Sequence, residues 1–428
     1  MPIDYDILPE IILYAIGFFI AYYLCYRKYI YSILDPLFIY VFTISFSSVL
    51  IINVLVYQPE YIVHFFGCQI FFFVGFSSTS YWANHNRQPS SVVTLPTQFF
   101  DYKTLRTAVY LLFALYAFGN VVIFYTSGFA LLSADPTTAK VENFVQGFGI
   151  ILKINWGVGS FVIAALLFFI LSKPRQVDII LLAIATLFTA LEGSKSSLLR
   201  ILITLVLLLN HPVFRYKKKI IEKLKWFAPL GIVAVLAVFF VVLSKENTDS
   251  EQALFAFVRR LLYGADSTLY FYSPINAQYF SQFHFWDYIG HFLNPILGFL
   301  RIVPYDEAFG NLMVMNDFPN MTGTIVGPNT PFYIEGQVFF GYYGAFVYSF
   351  LVGGSYAFIR QYFFQAKYYS AFWLILICCL CQEAGALFAE VTLFVTQAFD
   401  TCFFVVPVYV FVSLVMNGKI SIRWLHYE

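Results

Sequence analysis

Charge is what this chain has least of. Of its 428 residues, 11% are Asp, Glu, Lys or Arg and 60% are hydrophobic, with a mean hydropathy of +0.74; a soluble domain of that size would have too little polar surface to face water. Cysteines are few as well. Cys25, Cys68, Cys378, Cys379, Cys381 and Cys402 all lie inside apolar runs and read as small buried hydrophobes, not as a disulfide framework or a metal site. No Gly-rich phosphate loop or nucleotide-binding pattern occurs, which argues against ATP hydrolysis and against cytoplasmic sugar nucleotides as substrates. The N-terminal "MPIDYDILPE" is acidic where a cleavable signal would be basic. The first apolar run is therefore expected to be a retained span, and Asp4 and Asp6 an acidic flank, with no metal site.

What is present is a series of apolar runs. They lie near Pro9 to Tyr26, Pro36 to Tyr57, Tyr61 to Trp82, Arg106 to Tyr125, Gly147 to Leu171 and Val177 to Leu191, then Ser196 to Asn210, Trp226 to Ser244, Gly336 to Ile359, Ser370 to Phe388 and Val391 to Met416. At roughly 20 residues per span this predicts an all-α polytopic membrane protein with about eleven transmembrane helices. Arg27 and Lys28, Arg87 and Lys103, Lys173 and Arg175, the run "FRYKKKIIEKLK", Arg360 and Lys367, and Lys419 and Arg423 fall in alternate loops. By the positive-inside rule the N-terminus is outside and the C-terminus cytoplasmic. The polybasic run reads as a topology determinant beside anionic headgroups, and no nucleic acid is expected as a partner.

One extramembrane segment is long enough to hold chemistry. Residues 245–335 lie on the outer side, between an N-terminal set of eight helices in 1–244 and three more in 336–428. Within them "ALFAFVRRLLYGADSTLYFYS" is amphipathic, "FWDYIGHFLNPILGFLRIVPY" is apolar but too short and interrupted to span, and six prolines punctuate a folded helical lid.

The charges left over need reasons. Lys195, in "LEGSKSSLLR", sits on the side where the charge rule disfavours a cation, either as a headgroup-level anchor with Glu192 or as a receiver of an anion. Arg200 lies five residues further on, roughly 7 Å deeper on a helix, with Glu383, Glu390 or Asp400 as possible buried partners. The adjacent Arg259 and Arg260 could grip a phosphate with bidentate geometry, and Arg301 is the next outer arginine. Glu335 is the carboxylate best placed to reach an outer cavity, or else a cap near a helix start. His291 is a candidate proton acceptor; His284 lies seven residues before it with Asp287 between, a weak metal spacing that reads better as separate roles. Cations, one carboxylate or imidazole and many aromatics on the outer side suit a lipid-linked diphosphate carrying sugars.

On these patterns the chain resembles the Wzy-type O-antigen polymerases, the oligosaccharide repeat unit polymerases of bacterial polysaccharide assembly. The resemblance rests on the order of helices, on "SGF" at Ser127 to Phe129, on "EGSKSSLL", on the large outer segment and on "GPNTPFYIEGQVFFGYYGAFVYSFLVGG" from Gly327 to Gly354. It implies a multi-pass inner-membrane enzyme of C-type glycosyltransferase-like architecture. Such an enzyme joins repeat units carried on undecaprenyl diphosphate at the periplasmic face, without a cofactor and with a chain-length regulator as partner. That family more often has Arg where Lys195 stands, which keeps the charge and loses the fork. A transporter of the lipid-linked unit and an O-antigen ligase are the alternatives.

Overall fold

The computed structural model describes residues 8–55, 58–85, 101–133, 149–192, 197–217, 258, 261–321, 327–365 and 370–417, and they are helical with no strand among them. The long helices are α1 (Leu8–Tyr26), α2 (Pro36–Leu55), α3 (Pro59–His85), α4 (Tyr102–Ser127) and α5 (Gly149–Ser172). They are followed by the shorter α6 (Gln176–Leu191) and α7 (Ser197–Asn210). Four short helices come next: α8 (Ser267–Phe271), α9 (Pro274–Phe280), α10 (Phe285–Phe299) and α11 (Phe309–Asp317). The chain closes with α12 (Phe332–Gln365), α13 (Ala371–Glu383) and α14 (Val391–Asn417). Among the described residues, eight of these are long and apolar enough to cross a bilayer, with α6 and α7 as shorter apolar helices. The expected run from Trp226 to Ser244 lies outside the described residues.

Two apolar cores organise the helices. One joins α1, α2 and α3 to the short helices and to α12; the other joins α4 to α7 with α13 and α14. This division cuts across the chain order expected from the runs, because α12 and α14 each contribute to both cores.

Between helices in lipid no hydrophobic drive remains, so close packing has to supply the attraction. At α3 and α12 it does so by backbone contact: a Cβ on Gly75 would lie 2.0 Å from the Phe350 carbonyl oxygen, and one on Gly353 would lie 2.2 Å from that of Phe72. Any larger side chain would force the two helices apart.

Buried ion pairs tie together the helix ends that carry the Lys- and Arg-rich loops. Arg360 binds both carboxylate oxygens of Asp35, at 2.5 and 2.6 Å, and donates to the Tyr29 carbonyl. Arg106 pairs with Asp178 at 3.0 Å and donates to the Lys173 carbonyl. The first links the α1–α2 loop to the end of α12 and the second the start of α4 to the α5–α6 loop. Just past α7, His211 bonds to the Phe363 carbonyl at 3.0 Å and Phe214 packs on Phe168, so these ends share one side of the molecule, called here the cation-rich end.

α12 is not the single helix its apolar run predicts. At Gly341 the backbone has φ 70° and ψ −176°, a region open in practice only to glycine. There the chain reverses: a Cβ on Gly336 would be 3.1 Å from the Ala345 Cα, whereas nine residues of straight helix span about 13 Å. Residues 332–340 therefore fold back against 342–365 as a short buried limb, and only the second limb is long enough to span.

Candidate functional site

Two polar centres lie inside the bundle, away from the cation-rich end. The first joins α5, α7, α13 and α14. Lys153, in the second turn of α5, faces Asp400 with its Nζ 3.4 Å from each carboxylate oxygen. Asp400 is 2% exposed and Lys153 14%. The rings of Phe299 and Tyr305 stand 5.5 and 5.8 Å from the ammonium, so aromatic faces replace part of its water. α5 and α14 approach this closely because Gly157 packs against the backbone of Asp400 and Thr401.

One residue further along α14, the Thr401 hydroxyl donates to Glu383 Oε1 at 2.8 Å. Glu383 Oε2 is buried with no hydrogen bond of normal length, the Ser160 hydroxyl being near enough to act on the carboxyl. Arg200 acts electrostatically on this carboxylate and lines a cavity of about 50 Å³ with Glu192, Asn155, Gln382, Ser160 and Thr189. Both side-chain polar atoms of Asn155 are buried and unpartnered. Gly119 gives the Asn155 carboxamide its room, since a Cβ there would fall 2.1 Å from Oδ1. Buried amides left unpaired cost about 1–3 kcal/mol each, and the cavity has the volume of a few waters.

The second centre is Glu335. It sits fully buried in the first limb of α12, where Oε1 accepts from the Tyr348 hydroxyl at 2.9 Å and Oε2 from the Val391 backbone N–H at 3.3 Å. The Tyr288 hydroxyl donates to that of Tyr348 at 3.3 Å. A carboxylate in the first turn of one helix that also caps another is favoured by both dipoles. Beside it, a cavity of about 910 Å³ is walled mainly by aromatic rings, among them Tyr61, Tyr272, Phe283, Phe340 and Tyr348.

The residues singled out from sequence divide as follows. Arg200 and Glu192 meet at the small cavity, and of the three carboxylates considered for Arg200 it is Glu383 that neighbours it, because Asp400 is engaged by Lys153. Glu335 does cap a helix start, but that of α14 rather than only its own. His291 stacks face to face on Phe309 with centroids 4.3 Å apart and has the Phe339 ring 5.3 Å away, so aromatic rings surround the imidazole. His284 and Asp287 do not join it as ligands: the Asp287 carboxylate accepts from the His284 backbone N–H at 2.7 Å, closing the start of α10. Among the described residues no group of three or more His, Cys, Asp or Glu could hold a metal. Arg301 is exposed just beyond α10, at φ 57°. Lys195, Arg259 and Arg260 lie outside the described residues.

Lys153, Asp400, Asn155 and Glu383 form the first centre; of these only Asp400 and Glu383 stand out in the sequence, as possible partners for Arg200. The missed signal was a lone lysine inside an apolar run, because ionisable residues in spans are costly and mark function or pairing. The chain matches no protein-family profile, no curated protein and no solved structure.

Proposed function

We propose that this protein is a membrane glycosyltransferase that joins oligosaccharide repeat units carried on undecaprenyl diphosphate, at the periplasmic face of a bacterial inner membrane. The orientation is that of the positive-inside reading, with eleven spans including Trp226 to Ser244 and with residues 245–335 over the site. The observation that carries the reading is a pair of cations away from the cation-rich end, Lys153 partly buried in the bundle and Arg200 exposed at the mouth of the small cavity, each near a buried carboxylate. Such a pair suits a diphosphate that must be held and then stabilised as it leaves.

In the transfer, an acceptor hydroxyl oxygen attacks the anomeric carbon of the donor sugar. The bond from that carbon to the diphosphate oxygen breaks, and the diphosphate departs with the electron pair. The hydroxyl proton goes to a nearby base. Glu383, whose second oxygen makes no hydrogen bond of normal length and lies near Arg200 and Ser160, suits that role better than Glu335 or His291. Glu335 has both oxygens bonded and the imidazole of His291 is stacked. The aromatic cavity beside Tyr348 offers faces on which sugar rings stack.

The test uses purified protein in nanodiscs with undecaprenyl-diphosphate-linked repeat units. A ladder of lengthened glycans, lost in Lys153→Ala and Arg200→Ala proteins that still unfold cooperatively, is the expected result. Full elongation by both variants would sink the site.

A second reading is favoured by one observation. A helix broken inside the bundle, as α12 is at Gly341, is how many carriers build a binding site. Movement of a fluorescent lipid-linked glycan across the bilayer without lengthening would select that reading.

A further inference from the structure

The short helix α10 is expected from sequence to lie on top of the membrane, but its contacts trace another course. At its start, Tyr288 is hydrogen-bonded through Tyr348 to Glu335, which in turn accepts from Val391, the first residue of α14. At its end, Phe299 packs against Phe399, Phe403 and Phe404 of α14, at 5.5, 5.1 and 5.8 Å between centroids. Eleven residues of α10, about 16 Å, thus run beside twelve residues of α14, about 18 Å, in the same direction. Phe403 stands twelve residues from one end of α14 and fourteen from the other. In a helix about 40 Å long crossing a hydrocarbon core of about 30 Å, that is near the midplane.

The surfaces agree. Trp286 is 77% exposed near the start of α10, and Leu300, Ile302 and Val303 are 48%, 65% and 36% exposed beyond its end. Phe403, beside them on α14, is itself 41% exposed, so the apolar surface of the hairpin tip continues that of a spanning helix. The return is built in. The Asn294 carboxamide donates to the Pro304 carbonyl at 3.0 Å and accepts from the Asp306 N–H at 3.1 Å, and Tyr305 lies against Gly298.

We propose that α10 and residues 300–306 form a re-entrant hairpin that descends into the bilayer from the side opposite the cation-rich end, with Leu300, Ile302 and Val303 in contact with lipid hydrocarbon. The exposed Arg301 between them is the charge this placement has to accommodate, and a charge is costly near a bilayer centre. The hairpin carries Phe299 and Tyr305 over Lys153 and so stands between that ammonium and the leaflet. On the glycosyltransferase reading, which this consequence alone rests on, a lipid-borne diphosphate reaches Lys153 sideways by displacing the hairpin.

The experiment measures depth. In protein whose other tryptophans are changed to Phe, the emission of Trp286 and, separately, of an Ile302→Trp variant lacking Trp286 is recorded in nanodiscs with lipids brominated near the headgroup or near the chain middle. Trp286 is quenched best by the shallow bromines, and the indole of the Ile302→Trp variant by the deep ones. Quenching of that indole by aqueous iodide and by neither lipid overturns the proposal. So does protection from both reagents in a dimeric protein, which would assign the face to a second copy. Should the tryptophan-depleted protein fail to fold, unaltered protein is irradiated with a phospholipid carrying a mid-chain diazirine. Adducts on the peptide holding residues 300–303 support the hairpin, and their absence while α14 is labelled refutes it. Glycan elongation is scored separately, so a re-entrant α10 without polymerase activity removes the enzyme reading and leaves the hairpin.

Discussion

Lys153 and Asp400 are each the other's reason to be charged inside the bundle. Removing one leaves a buried charge without its counterion, at a cost of about 3–5 kcal/mol, while replacing both with apolar residues of similar size is often neutral. Lys153→Ala and Asp400→Ala are therefore expected to lower the thermal unfolding midpoint in nanodiscs. The double variant Lys153→Met with Asp400→Leu recovers it, yet abolishes glycan elongation if the ammonium binds diphosphate. Asp266 gives a second prediction at this scale. Burial pushes its carboxyl up from 3.8 to about 6, so the folded protein keeps a proton that the unfolded chain releases. Its contribution is greatest below the unfolded value and declines as pH rises through about 4 to 6, by about 2–3 kcal/mol. Asp266→Asn should flatten that part of a stability-against-pH curve; an unchanged slope would deny Asp266 the role.

At the scale of elements, breaks matter more than spans. The turn at Gly341 lets a short limb fold back and bring Glu335 to the start of α14. Gly341→Ala places a side chain in backbone geometry that costs about 1–3 kcal/mol. It should raise hydrogen exchange in residues 332–340 before it affects 342–365, and equal exchange in both limbs would contradict a hinge there. Asn294→Ala removes both bonds that hold the return after α10, a loss of about 1–3 kcal/mol. Faster exchange confined to residues 300–306 is the expected readout. These breaks were only partly legible. The glycines of "GQVFFGYYG" are visible in the sequence, but an apolar run reads the same whether it continues or doubles back, because hydropathy has no direction. The helix start at Phe285 and the proline at 295 were visible too. That α10 runs beside α14 was not, since it depends on Phe299 meeting rings a hundred residues later.

For the whole molecule, the alternation of Lys- and Arg-bearing loops predicts that reporters fused before residue 8 and after residue 417 fall on opposite sides of the membrane, as an odd number of spans requires. The same side for both would show that Trp226 to Ser244 does not cross. Composition together with the length of the apolar runs determined the membrane class and the helical character of the described residues, because an apolar run of about 20 residues crosses lipid as a helix that satisfies its own backbone. The periodic placement of cations set out which helix ends share a side, and Arg360 with Asp35 and Arg106 with Asp178 join such ends directly. What only the tertiary structure decided is which charges meet. Lys153 and Asp400 are separated by most of the chain, and Arg200 had three candidate carboxylates; backbone contact at Gly157 gave Asp400 to Lys153 and left Glu383 beside Arg200. Such pairing follows from how closely two helices can approach, a property of both surfaces together that neither segment carries alone.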